Sequence, residues 1–206
     1  MFLCNKHVRN SIGRDEQILA FDATSINYWY HQVYTPTDGC ITSTRKVCTN
    51  RYDLEGNGDW KQAVAYVVAM HTDGQCVFVY QRDRGDARLS MKSSIGVGGH
   101  VSLSDVIYGD DIEDSIMHTA KRELAEEVYF ENRGRMKFVG IINDNGDAVG
   151  KDHVGFVITM QVSGEWKIKE KDAFVEGSCG FYNIGHLPLR EYENWSQILI
   201  EEFLGK

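Results

Sequence analysis

From Ile112 to Val128 an apolar residue returns at every fourth position (Ile112, Ile116, Ala120, Leu124, Val128), and an α-helix gathers that spacing into one stripe. The stripe commits the chain to a fold in which this helix packs against a partner layer. Asp110 or Asp111 stands where an N-cap carboxylate suits the helix dipole. Toward its other end the same helix carries Glu123, Glu126 and Glu127. Glu123 neighbours Glu126 at i+3 and Glu127 at i+4, and like charges so spaced destabilise a helix and invite a cation. Glu123 and Glu127 lie on the flank of the apolar stripe, so they face whatever the helix packs against. Hard divalent ions such as Mg²⁺ take oxygen ligands of this kind. Upstream, Gly-Val-Gly-Gly-His at 96–100 offers backbone without side-chain bulk, able to approach a ligand closely. Together the two features point to metal-dependent phosphate chemistry.

The 206 residues suffice for one large α/β domain, or for a domain with a small appendage. The longest apolar run, Ala63 to Met70, is too short to span a bilayer, and Lys6, His7 and Arg9 are followed by polar residues. No membrane association is therefore expected. A net charge of −8 argues against non-specific duplex binding, which needs a basic surface. Anionic ligands must then be held locally, by metal and a few basic side chains. Cys4, Cys40, Cys48, Cys76 and Cys179 form no C-x-x-C pair, and read as reduced thiols of a cytoplasmic protein.

Strands are expected at Gln17–Phe21, Ala63–Met70, Cys76–Tyr80, Ile95–Leu103, Lys137–Ile142, His153–Val162 and Phe181–Ile184, with a closing amphipathic helix at Asn194–Leu204. His71-Thr72-Asp73-Gly74-Gln75 reads as a hairpin connection with Asp-Gly at its tip. Ser104–Asp111 and Asn143–Gly150 read as loops, and Tyr28-Trp29-Tyr30 as a packed aromatic cluster. The Gly, Asn and Asp residues of 53–59 separate residues 1–59 from the rest of the chain.

Arg122-Glu123-Leu124-Ala125-Glu126-Glu127 resembles the metal-binding core of the Nudix box, Arg-Glu-U-x-Glu-Glu-x-Gly-U with U aliphatic. The resemblance covers roughly residues 60–204, most closely 95–128. Three features depart from the pattern. Asp114 stands where the family has Glu, Tyr129 replaces the glycine after the paired glutamates, and the loop within 102–111 is lengthened. Gly-Val-Gly-Gly-His-Val before such a loop is similar to a less-studied Nudix subgroup.

The resemblance implies an α/β/α sandwich, a mixed β-sheet between helices, formed by residues 60–206. Residues 1–59 would be an N-terminal extension or small subdomain packed on that core. It implies that Glu123, Glu126 and Glu127 ligate Mg²⁺ or Mn²⁺, that the Gly99 carbonyl adds an oxygen, and that Arg122 orients the carboxylates. The general base would be a box glutamate or a loop acid, for which Glu176 is placed. Arg82, Arg84, Arg88 and Lys92 are candidates for the terminal phosphates, or else a solvated basic loop. His100 and His153 are candidates for substrate contact, and Tyr108, Tyr129 or Trp166 for stacking on a base. The implied activity is hydrolysis of a phosphoanhydride in a nucleoside diphosphate linked to another group, and homodimers are common in such a family. Two alternatives stand beside it. One is an isoprenoid-diphosphate isomerase, whose Cys–Glu chemistry finds no cysteine at 95–128. The other is a nucleotide sensor of the same fold that does not cleave its ligand.

Overall fold

A computed structural model of the chain describes residues 16–26, 45–83, 87–107, 112–188 and 191–205. Arg84, Tyr108, Asp110, Asp111, the Tyr28–Tyr30 cluster, Cys4 and Cys40 lie outside these described residues. Two single-turn helices, α1 (Ala23–Ile26) and α2 (Arg51–Leu54), precede the expected long strand. That strand is β3 (Trp60–His71), and its period-two pattern explains the layering. Ala63, Ala65, Val67 and Ala69 face a core that also holds Ile116, Ala120 and Leu124 of α3 (Ile112–Glu127). Tyr66 and Val68 face a second core with Trp195 and Leu199 of α5 (Asn194–Leu199). A sheet buried on both faces between helices is an α/β/α sandwich.

Strand β3 is the hub. It runs parallel to β9 (His153–Ile168), aligning Gln62 with His153 and His71 with Val162, and antiparallel to β1 (Gln17–Asp22). Strand β1 in turn pairs with β2 (Lys46–Asn50), so these N-terminal strands extend the same sheet. The Asp73-Gly74 hairpin leads to β4 (Cys76–Gln81), and β10 (Gly180–Asn183) pairs beyond it. Strands β7 (Val128–Arg133) and β8 (Lys137–Ile142) both pair with β9.

Strands β3 and β4 pair only at Met70 and Val77. Beyond that point they part, and short β5 (Ser93–Ser94) and β6 (Gly96–Val97) enter on β4 and β3 respectively. The functional cavity lies at this split.

Several expected elements differ. Ile95–Leu103 is not one strand: after Val97 contact is reduced to single bridges, His100 with Val64 and Ser102 with Ile18. The cause is Gly98, at φ +154°, where a Cβ would stand 2.0 Å from the Ala65 carbonyl oxygen. The expected loops are partly ordered, as a 3₁₀ turn at Leu103–Asp105 and as α4 (Ala148–Asp152), capped by Asp147. The helix ends at Glu127, so Val128 belongs to β7, a strand that its mixed polar composition concealed. The closing helix is α-helical only to Leu199, and Ile200–Leu204 continue as a π turn. Among the described residues no helix is long and apolar enough to cross a membrane.

Candidate active site

A cavity of about 460 Å³ opens where β3 and β4 part, walled by α3, the Gly98–Gly99 turn, the start of β9 and the first turn of α5. Its size is that of a small-molecule site. From α3 come Glu123 and Glu127, one helical turn apart. Gly99 is required here for close approach: a Cβ on it would stand 2.6 Å from Glu123 Oε1. Its carbonyl oxygen accepts the Ala65 N–H at 3.0 Å, which leaves one lone pair for another partner.

The electrostatics are those of crowded acids. Burial pushes the Glu127 carboxyl up to about 8, against the pull of Arg82 and with the help of Glu123 and Glu170. Burial also raises Glu123, opposed chiefly by Arg122. Both shifts are what a bound dication would reverse. Glu126, the third acid of the cluster, is exposed and turned to Arg122 Nη1 at 3.1 Å. Among the described residues no three His, Cys, Asp or Glu side chains form a group able to hold a metal ion. The donors that face the cavity therefore fit a hard cation by chemistry, as two carboxylates beside a free carbonyl lone pair, without enclosing one.

Arg122 is fixed by a residue that the helix pattern does not contain. Asp105, buried in the 3₁₀ turn, accepts from Arg122 Nε at 3.1 Å and from Nη2 at 2.7 Å. Ser102 and Thr119 also donate to Asp105, at 2.9 and 3.0 Å. Burial works against its ionisation, but Arg122, Ser102 and Thr119 outweigh burial and hold its carboxyl below the ordinary range. Arg122 Nη2 reaches Glu123 at 2.9 Å and the His100 carbonyl at 3.3 Å, tying loop, turn and helix together. Ser102-x-x-Asp105 is a capping box, and that spacing is the signal by which Asp105 was findable.

Of the basic candidates, Arg82 lines the cavity, but its Nε donates to Glu193 at 3.2 Å. Glu193 is buried in a network with Tyr66 and Ser94, which donate to it at 2.6 and 2.5 Å. Arg88 stands outside the cavity wall and binds Asp152 at 2.7 Å and the Ala148 carbonyl at 3.2 Å. Lys92 pairs with Glu191 at 3.4 Å. Glu176 is exposed in a turn and does not reach the cavity, whereas Glu170 does. Tyr129 is exposed and Trp166 packs on Phe78, so neither meets the cavity. His100 and His153 both line it, their Nε2 atoms 3.1 Å apart. Asp114 is exposed in the first turn of α3.

No family model matches the chain. It is 29% identical over 158 residues to protein YmaB of Bacillus subtilis (strain 168), covering 73% of this chain and 75% of that protein. The crystal structure of Tm1382, a candidate Nudix hydrolase, superposes with a TM-score of 0.70 at 22% identity. The match covers 92% of this chain and 99% of Tm1382. The MutT Nudix hydrolase of Burkholderia pseudomallei superposes with a TM-score of 0.51 at 18% identity, covering 69% of this chain and 98% of that one. The chain has the Nudix fold.

Proposed function

We propose that this Nudix-fold protein is a divalent-metal-dependent hydrolase that cleaves a phosphoanhydride in a nucleoside diphosphate derivative. The observation that carries the reading is the pairing of Glu123 and Glu127 with the Gly98–Gly99 turn inside one cavity. Among the described residues six carboxylates and two guanidinium groups line that cavity, so a bare polyphosphate would be repelled and must arrive with cations. When bound, Mg²⁺ or Mn²⁺ would neutralise the phosphates, polarise the phosphorus and acidify a bound water.

The chain's own residues do the rest. Glu123 and Glu127 would hold the cation, with the Gly99 carbonyl as a further oxygen. Arg122, clamped by Asp105, fixes the Glu123 carboxylate and keeps Glu126 within reach of an incoming ion. Arg82, clamped by Glu193, sets a positive charge beside Glu127 and toward substrate phosphate. Glu170 is the loop acid that faces the cavity and is the better-placed partner for the attacking water. Leu89, Phe174 and Trp195 line the same cavity with apolar surface that limits water.

The test is incubation with nucleoside triphosphates, nucleotide sugars, dinucleoside polyphosphates, NAD and ADP-ribose in Mg²⁺, reading products by mass. Turnover of one class, falling at least a hundredfold in Glu127→Gln, supports the reading. A second reading, a sensor that binds nucleotide without cleaving it, is favoured by the engagement of Glu126 with Arg122. Saturable nucleotide binding with no product from any class would select it.

A further inference from the structure

One end of the cavity is built partly by the N-terminal strands. Glu16 precedes β1 and Arg51 follows β2, and both side chains line the cavity beside His100 and His153. The hydrogen bonds there define which atoms are left for a ligand. His153 Nδ1 lies 2.7 Å from the Val149 carbonyl, which can only accept, so Nδ1 carries the proton. In a neutral ring Nε2 then accepts, and its partner 3.1 Å away must be the Nε2–H of His100. The tautomer of His100 follows: its Nδ1 bears a lone pair. Among the described residues nothing donates to that atom, and it is not sealed from solvent. Burial, then the charge of Arg51, then His153, hold the His100 imidazolium well out of reach, so the ring is a neutral acceptor.

Arg51 complements it. Its Nη1 donates to Glu16 at 2.9 Å, while Nη2 has no hydrogen-bond partner among the described residues and is not sealed from solvent. The end of the cavity thus offers a fixed acceptor nitrogen, a free guanidinium donor and a carboxylate whose charge offsets that of the guanidinium. Phosphate wants net positive charge, and this end has none. A hydroxyl donates and accepts at once, so alternating donors and acceptors around a neutral centre suit a sugar diol.

We propose that Arg51, Glu16 and the His100–His153 pair form a sugar-hydroxyl subsite, making the preferred substrate a nucleoside diphosphate joined to a sugar. The proposal rests on the hydrolase reading for its diphosphate and adds the identity of the second group. The diol comes either from the nucleoside ribose or from the sugar beyond the diphosphate, and binding distinguishes them.

Calorimetry with Mg²⁺ in a Glu127→Gln background compares ADP-ribose, ADP and 2′-deoxy-ADP. A subsite for the distal sugar gives ADP-ribose at least tenfold tighter binding than ADP, and Arg51→Met or His100→Phe cuts that ratio to near one. A subsite for the nucleoside ribose gives instead tighter binding of ADP than of 2′-deoxy-ADP, with the same two variants removing that difference. His100→Gln, which keeps an acceptor, restores part of either ratio and guards against simple misfolding. Ratios that the variants leave unchanged, or that are near one from the start, overturn the proposal. These ratios read the subsite alone, whereas product release by the unaltered protein reads the hydrolase, so failure of one is distinguishable from failure of the other.

Discussion

Asp105 is the residue on which the orientation of Arg122 depends, through the 2.7 Å contact and two further ones. Asp105→Ala leaves the guanidinium without its anchor and Ser102 and Thr119 without their acceptor. It is expected to cost about 2–3 kcal/mol in urea denaturation, with loosened metal binding. Lys61 is a comparable case away from the cavity. It is 1% exposed in β3 and donates to the carbonyls of Gly150 at 2.5 Å and His153 at 3.3 Å. Burial pushes its ammonium down to about 8, against the pull of Asp144, Asp152 and Asp147. Lys61→Met orphans both carbonyls and is expected to cost about 1–3 kcal/mol, measured by the same denaturation. At this scale the sequence was legible where charge crowds a helix, at Glu123 and Glu127. It was opaque where partners are distant in the chain: Asp105 is 17 residues from Arg122, and Glu193 is 111 from Arg82.

Among the elements, the long strands and α3 were readable because both obey a hydrophobic period. Lys137–Ile142 appears with the expected bounds, and Ile112–Glu127 falls one residue short. What escaped was short or polar. Strand β2 has no fully buried residue, and β7 buries only Val128 and Phe130, so neither carries a strong alternation. The broken segment after Val97 is a matter of contact with β3, which no local pattern reports. Gly98→Ala tests it: the added Cβ meets the Ala65 carbonyl at 2.0 Å at a φ that L residues avoid. A fall of more than about 2 kcal/mol in unfolding free energy is expected, together with loss of nucleotide binding. A neutral Gly98→Ala would mean that the turn does not need its close approach to β3.

At the scale of the whole molecule, helices on both faces of a split sheet bring acids from α3, the β9 end and the loop before α5 into one cavity. The cluster therefore makes the stability of the metal-free protein depend on pH. Folded Glu127, at about 8, keeps a proton that the unfolded chain gives up near 4.5. Its contribution to stability is complete below that lower value and is lost as pH rises toward about 8. A bound dication favours the ionised form, so the rise in Tm on adding Mg²⁺ should be small at pH 5 and largest above pH 8. Scanning fluorimetry across that range checks it, and Glu127→Gln should flatten the trend. Function as a metal-dependent hydrolase requires above all that the cavity take up cations through its helix carboxylates. Electron paramagnetic resonance of free Mn²⁺ at pH 8 measures this directly, comparing the unaltered protein with Glu127→Gln and with Glu176→Gln. Uptake that weakens at least tenfold in Glu127→Gln and is unchanged in Glu176→Gln is the predicted result. Equal uptake by all three proteins, or none by any, would contradict it.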